Sequence, residues 1–284
     1  MLNSSIIARL AIPLLHRSVV LPRTVERVAG TEFGGSSGDT ITVRVRANRT
    51  ANVQSTPGAT ITLDTIGETG VPLVVNHIYS AATLTDEDLA LNLEDFGAQV
   101  LQPAVQAVAR KSEQYIADAI NALVADATVP ATPTADDYAA AIKDAGQALD
   151  EVDVEAGNRW CAVSPAAARA LLDYPAIEDA SALGTPSAIQ DATIGRYAGF
   201  NLVKSNTLTA GSLCAYHRSA FVMGNRAPVQ VASVDSAIST QDGFTLRVVR
   251  DFDASKLAEI CAVSTFAGAA LVDADRAYKV TVAS

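Results

Sequence analysis

Aromatic side chains make up only 5% of this 284-residue chain, with a single tryptophan, Trp160. A core must therefore be packed from alanine, valine, leucine and isoleucine, and a hydrophobic content of 49% supplies them. Cysteine is almost missing: Cys161, Cys214 and Cys261 are odd in number, far apart and free of any CxxC spacing. That excludes a disulfide framework and a cysteine metal site, and it fits a reducing compartment. Histidine is limited to His16, His77 and His217, none of them in HExxH, and no GxSxG elbow or phosphate loop occurs. Gly195 and Gly199 do not form a dinucleotide fingerprint, because they precede a strand instead of joining a strand to a helix. A nucleophile needs an activating partner, and none is legible. His217 and Cys161 read as core residues, so the expectation is a non-enzyme with no catalytic residue, metal or cofactor.

Long apolar runs are also lacking. The stretch 260–272 is too short and too polar to span a bilayer. The first twenty residues resemble a signal peptide only until Arg9, His16 and Arg17 interrupt them, and no small-residue cleavage site follows. The spacing of Ile6, Leu10 and Leu14 predicts a short amphipathic helix instead. A soluble protein without a membrane partner is expected. Mean hydropathy of +0.21 excludes disorder.

The formal charge of −10 is unevenly spread. Residues 1–49 hold Arg9, Arg17, Arg23, Arg27, Arg44, Arg46 and Arg49 against Glu26, Glu32 and Asp39, a balance of 7 − 3 = +4. The rest must carry −10 − 4 = −14. A basic N-terminal arm on an acidic body points to an acidic contact, either an identical neighbour or nucleic acid. Broad nucleic-acid binding is disfavoured, because it needs a basic face.

The chain is organised around 92–124, where Phe96, Val100, Ala104, Val108, Ile116 and Ile120 form a helical stripe, with Tyr115, Ala119 and Leu123 in a second row. Asn92 suits an N-cap, and Glu94 and Asp95 suit the first turn. Such a helix spans roughly 48 Å at about 1.5 Å per residue. Pro103 predicts a kink or two helices end to end. Ahead of it lie a Gly/Ser hinge (Gly34, Gly35, Gly38) and an alternating strand through Ile41, Val43 and Val45 with a cationic face. A type II turn is expected at Pro57-Gly58, followed by strands through Ile61 and Leu63 and through Val71, Leu73 and Val75. Residues 38–78 thus form a β excursion that needs support from elsewhere. Thr85 is the expected cap of a short acidic helix. Asp86, Glu87, Asp88, Glu94 and Asp95 read as capping groups and a solvated face, or as the target of another subunit's basic loop.

Beyond a linker at 129–134, Thr134 or Asp136 caps a helix, a buried strand follows at 160–164, and Pro165 opens another helix. Strands are expected at 200–204, 212–217, 221–223, 244–251, 258–264 and 279–282, with a small-residue loop at 181–195. The mixture gives an α+β class with an α/β subdomain.

The order of parts resembles the major capsid proteins of tailed bacteriophages, a fold shared with herpesvirus shells and encapsulins. The stretches that carry the resemblance are GDTITVRV (38–45), LTDEDLALNLEDF (84–96), IGRYAGFNLVKSNTL (194–208), AYHRSAFVMGNRAPVQV (215–231) and GFTLRVVRDFDASK (243–256). They look like the branch whose coat protein is assembled with a separate scaffold. The resemblance implies an N-arm at 1–37, an extended β loop at 38–78, and a peripheral domain with spine helix at 79–129. An α/β axial domain would occupy 130–242, and 243–284 would return to the peripheral domain. It implies a virion shell of pentamers and hexamers, assembled in the host bacterial cytoplasm with a scaffolding protein and a portal protein, around double-stranded DNA held by non-specific proximity. Arg44, Arg46 and Arg49 would then meet a neighbour's Asp86–Asp88 or Glu94–Asp95, with Gly34, Gly35 and Gly38 as the arm's hinge. Some members carry an N-terminal scaffolding segment that a protease removes; here the arm starts almost at Met1, so a separate scaffold is expected. Some members cross-link lysine to asparagine from the loop, but no lysine lies between Gly38 and Ile78. An encapsulin compartment is the runner-up reading. An enzyme on the α/β region and a surface lattice protein are more distant ones.

Overall fold

A computed structural model describes residues 4–28, 40–46, 51, 53–58, 60, 67–85, 87, 96–174 and 195–283. They form four α-helices and fourteen strands, arranged as two six-stranded sheets and a two-stranded hairpin.

Helix α1 (Ser4–Ser18) buries Ile7, Ala8, Ala11, Ile12 and Leu15. The expected helix is present, but its expected inner row is turned outward: Ile6 is 48% and Leu10 55% exposed. Two apolar rows compete, and the one containing Ala8 and Ala11 lets the helix approach the sheet more closely. This part of the expected N-terminal arm packs on β11, β12 and α2.

The first sheet runs β1 (Glu26–Val28), β10 (Phe221–Arg226), β13 (Ala258–Leu271), β12 (Phe244–Asp253) and β11 (Asp235–Gln241), with β4 (Asn76–Thr85) also on β13. Phe266 and Ala267 pair with β4 on one side and with β10 on the other, while β12 pairs with 258–264. β10 and β12 therefore follow one another along the same edge of β13. Asn225 bridges the junction: its Nδ2 donates to Thr265 Oγ1 at 3.1 Å, and its Oδ1 accepts from Thr245 N at 2.6 Å and Thr245 Oγ1 at 3.0 Å. β11 and β12 meet at Asp242 and Gly243, both with positive φ, a turn whose twist matches the strands.

The hairpin pairs β2 (Thr40–Arg46) with β3 (Glu68–Val74), Ile41 opposite Leu73 and Val43 opposite Val71. Alternation had predicted both strands. It had not predicted β4, which occupies 76–85, so that Thr85 ends a strand; of the expected acidic helix only Glu87 is among the described residues. Gly58, at φ +85°, has the conformation expected at the third position of the Pro57-Gly58 turn. The strand expected through Ile61 and Leu63 lies outside the described residues.

The central helix is a π-helical turn at Gly97–Leu101 running into α2 (Gln102–Ala122). Pro103 cannot donate to the carbonyl four residues back, and the hydrogen-bond pattern changes just before it. Ala104, Val108, Ile116 and Ile120 are buried as expected, but Val105, Ala109 and Ala117 complete the buried face, and Tyr115, Ala119 and Leu123 sit at its margin.

The second sheet has the order β5 (Ala127–Val129), β14 (Ala277–Val282), β9 (Leu213–His217), β6 (Arg159–Val163), β8 (Phe200–Lys204) and β7 (Arg196–Tyr197). Helices α3 (Ala135–Glu151) and α4 (Pro165–Leu172) cover one face. Thr134 caps α3 reciprocally with Asp137, and Ser164 caps α4. Strand β9 is buried throughout: Leu213 and Ala215 face the α3/α4 core, while Cys214 and Tyr216 face the core built on α1 and α2. β10 and β11 fall within 130–242 but pair in the first sheet, whereas β14 falls within 243–284 but pairs in the second. Alternation identifies a strand but not its neighbours, which long-range register decides.

Candidate assembly surfaces

The base of the hairpin is fixed by apolar packing. Ile41, Leu73, Val75 and Val222 are buried together against Val28, Val43, Phe266, Ala270 and Val272. The chain leaving β3 crosses β13 at Gly268, where a Cβ would overlap the Val74 carbonyl. Only glycine permits that crossing. Outward of this anchor, Arg44 Nη1 lies 3.1 Å from Glu68 Oε2, with the two side chains 76% and 43% exposed. Such a pair contributes about 0–1 kcal/mol and leaves the arginine free to exchange partners. Arg46 closes β2 opposite Glu68 in register. The Arg46 side chain and all of Arg49 lie outside the described residues, as do Asp86, Asp88, Glu94, Asp95, Gly34, Gly35 and Gly38; Glu87 is exposed.

A second set of polar contacts joins α2 to the second sheet. Ser205 Oγ donates to Glu113 Oε1 at 2.7 Å. Asn121 Oδ1 accepts from Thr209 N at 3.2 Å, and its Nδ2 donates to Thr207 O at 3.3 Å. Lys279 Nζ donates to the carbonyls of Asn121 and Leu123 at 2.6 and 2.8 Å, placing a buried cation on the negative end of the helix. Burial pushes the Glu113 carboxyl above the ordinary range, and the Ser205 bond pulls it partly back. Sequence reasoning missed these three residues. Glu113 had a signal, since it stands four residues from both Ala109 and Ala117 on the apolar face; Asn121 and Lys279 had none.

The face of the first sheet opposite α1 and α2 carries His77, Tyr79 and Phe266, with ring centroids 6.0 Å (His77–Tyr79) and 4.9 Å (His77–Phe266) apart. Burial and then Arg247 lower the His77 pKa, so its imidazole is neutral at pH 7. Elsewhere Arg250 pairs with Glu259 and lies 5.4 Å from the Phe96 ring centroid.

Reactive chemistry is not assembled among the described residues. His217 Nδ1 lies 2.7 Å from Ser219 Oγ, which also accepts from Arg276 Nη1 at 2.8 Å; burial and Arg276 hold the imidazole below its ordinary range. All three cysteines are buried, and burial raises their thiols, Cys214 to about 12 and Cys261 to about 11, so they stay protonated. No group of three or more histidine, cysteine, aspartate or glutamate residues could hold a metal ion, and no helix is long and apolar enough to cross a membrane, among the described residues.

Comparison with known proteins places this arrangement of surfaces in a family. A family model described as phage capsid protein matches residues 73–263, or 263 − 73 + 1 = 191 positions. The Mycobacterium phage Che8 structure superposes with a TM-score of 0.67 at 20% identity, covering 92% of this chain and 90% of that one. The capsid of cyanophage P-SCSP1u gives 0.65 at 16% identity, covering 92% and 86%. A virus-like particle from Pyrococcus furiosus gives 0.58 at 9% identity, covering 96% and 97%. No curated protein matches the sequence. The α+β architecture is the one found in phage capsids.

Proposed function

This chain belongs to the phage capsid protein family, and from that membership we propose that it is the major capsid protein of a tailed phage, self-assembling into an icosahedral shell around double-stranded DNA. The family match across 73–263 carries the reading. The role is structural and lies in the virion capsid. In this reading α2 is the spine, the first sheet with α1 is the peripheral domain, the second sheet with α3 and α4 is the axial domain, and the β2–β3 hairpin is the base of the extended loop. No observation favours the encapsulin alternative over it.

Function then resides in interfaces. Arg44, Arg46 and Arg49 lie across a neighbour's Asp86–Asp88 or Glu94–Asp95, and bending at Gly34, Gly35 and Gly38 lets chemically identical subunits take non-equivalent places in pentamers and hexamers. Buried valine and isoleucine supply most of the association energy at about 25 cal/mol per Å2. Charge sets register and partner choice. Repeated heterologous contacts must close on themselves, and a shell closes them. A separate scaffolding protein guides closure in the host cytoplasm, and a portal protein occupies one vertex. The acidic body limits adhesion to packaged DNA, because phosphate binding scales with the cations that neutralise it.

Electron microscopy of the purified chain, alone and with its scaffold, tests the reading. Closed shells or tubes are the expected result. A monodisperse monomer under both conditions, and under crowding, overturns it.

A further inference from the structure

Among the described residues, strand β4 is a sheet edge without the usual protections. It pairs with β13 over its whole length and with no other strand among the described residues. Successive backbone groups of a strand point to alternate edges, so about half of its N–H and C=O groups face away from β13. Proteins blunt such edges by brevity, charge, proline, a bulge or a cover. The other edges of the two six-stranded sheets comply. β1 and β5 have three residues each and β7 has two. β11 is longer but held at its start, where Ser4 donates to Asp235 and Ser236 exchanges hydrogen bonds with Val231. β4 has ten residues, and 76–84 (NHIYSAATL) contains no charged residue, proline or glycine. Ile78 and Leu84 are buried, whereas His77, Tyr79, Ala81 and Thr83 form an exposed face.

We propose that the 76–84 edge pairs antiparallel with the same edge of a second copy, about a two-fold axis perpendicular to the sheet. The inference rests on the shell reading above. A row of unpaired backbone donors and acceptors along an edge is a template for another strand. An uncharged edge meets no repulsion from its own copy, and partial desolvation, with Arg247 nearby, lowers the His77 pKa. The register centred on Ser80 uses all of 76–84 and keeps exposed faces together. It sets Tyr79 opposite Ala81, Ile78 opposite Ala82 and His77 opposite Thr83, so each large side chain meets a smaller one. A perpendicular two-fold also leaves α1 and α2 of both copies on one side of the joined sheet, as a shell with distinct inner and outer surfaces requires. Each contact is short, about 30 Å at roughly 3.4 Å per residue, and gains its strength by repetition.

The test uses Tyr79→Lys and Ala81→Glu, singly and together, in the full chain. In this register position 79 of one copy faces position 81 of the other. Each single substitution is expected to lower shell yield about tenfold, leaving the circular dichroism and thermal unfolding of the free subunit unchanged, and the double variant is expected to restore the yield. Singles that assemble as well as the unaltered chain overturn the proposal. Singles that fail without rescue in the double also overturn it, and assign the edge to a different strand, from the scaffold or elsewhere in the chain. Absence of shells from the unaltered chain is a separate result, and it sinks the shell reading itself.

Discussion

Ser205 donates a 2.7 Å hydrogen bond to Glu113 across the seam between α2 and the second sheet, joining residues 92 positions apart. It is a carboxylate placed on the apolar face of a helix and given a single side-chain donor. The seam it belongs to, with Asn121 and Lys279, is polar where the rest of the helix contact is apolar.

The pH dependence of stability follows from this pair. The folded Glu113 pKa lies above its ordinary value, chiefly through burial. Folding therefore favours its protonated form, and that contribution is full below the unfolded pKa and is lost as pH rises through the folded pKa. Glu113→Gln keeps an acceptor without the charge, so its thermal midpoint relative to the unaltered chain should rise between pH 4 and pH 8. A difference that is flat or falls with pH contradicts this account. Ser205→Ala leaves the carboxylate without its donor and should cost about 1–3 kcal/mol at pH 7.

Asn225 predicts a different loss. It bonds β12 and β13 from β10, and Asn225→Leu strands Thr245 N at the junction. A cost of about 1–3 kcal/mol is expected from denaturant titration, with amide exchange accelerating first around Thr245 and Thr265. Exchange that accelerates uniformly would mean that the junction is not a separate unit of stability.

For the hairpin, stability and assembly should separate. Arg44→Ala removes an exposed pair and should change subunit stability by less than about 0.5 kcal/mol. Reversing Arg44, Arg46 and Arg49 to glutamate should suppress shells at low salt and reverse the salt dependence of assembly, because salt then screens a repulsion. Unchanged shells with unchanged salt dependence would remove charge from the mechanism.

Covalent linkage is not expected in the particle. With no lysine between Gly38 and Ile78, that stretch has no side-chain amine to offer. Boiling particles in detergent should release a single species, and a ladder of oligomers resistant to reduction is the contrary result.

Much of the fold was legible where local chemistry decides it. Thr134 caps its helix, Pro165 opens the next, Phe200–Lys204 is a strand to the residue, and Pro103 marks the change of helical geometry. What was not legible depends on partners distant in sequence. The row Ile6, Leu10, Leu14 is as apolar as the row Ile7, Ala11, Leu15, and only the sheet beneath selects between them. The same holds for β14, whose alternation gives no sign that its neighbours are β5 and β9. Among the expected contact residues, Arg44 could be placed by its strand and by its partner Glu68. Glu113 could have been found by asking why a carboxylate interrupts the apolar stripe.

The position of β14 has a consequence for synthesis. β5 pairs with no described strand except β14, and β14 lies between it and β9. A chain made only as far as Arg276 has five of the second sheet's six strands but cannot yet join β5 to the others. Lys279, which holds the end of α2, arrives at the same late moment. A stop codon just before this strand would remove one strand and orphan another, together with the clamp on the helix. A subunit truncated there, with β5 unpaired and the end of α2 unclamped, should be left out of a lattice built from complete ones.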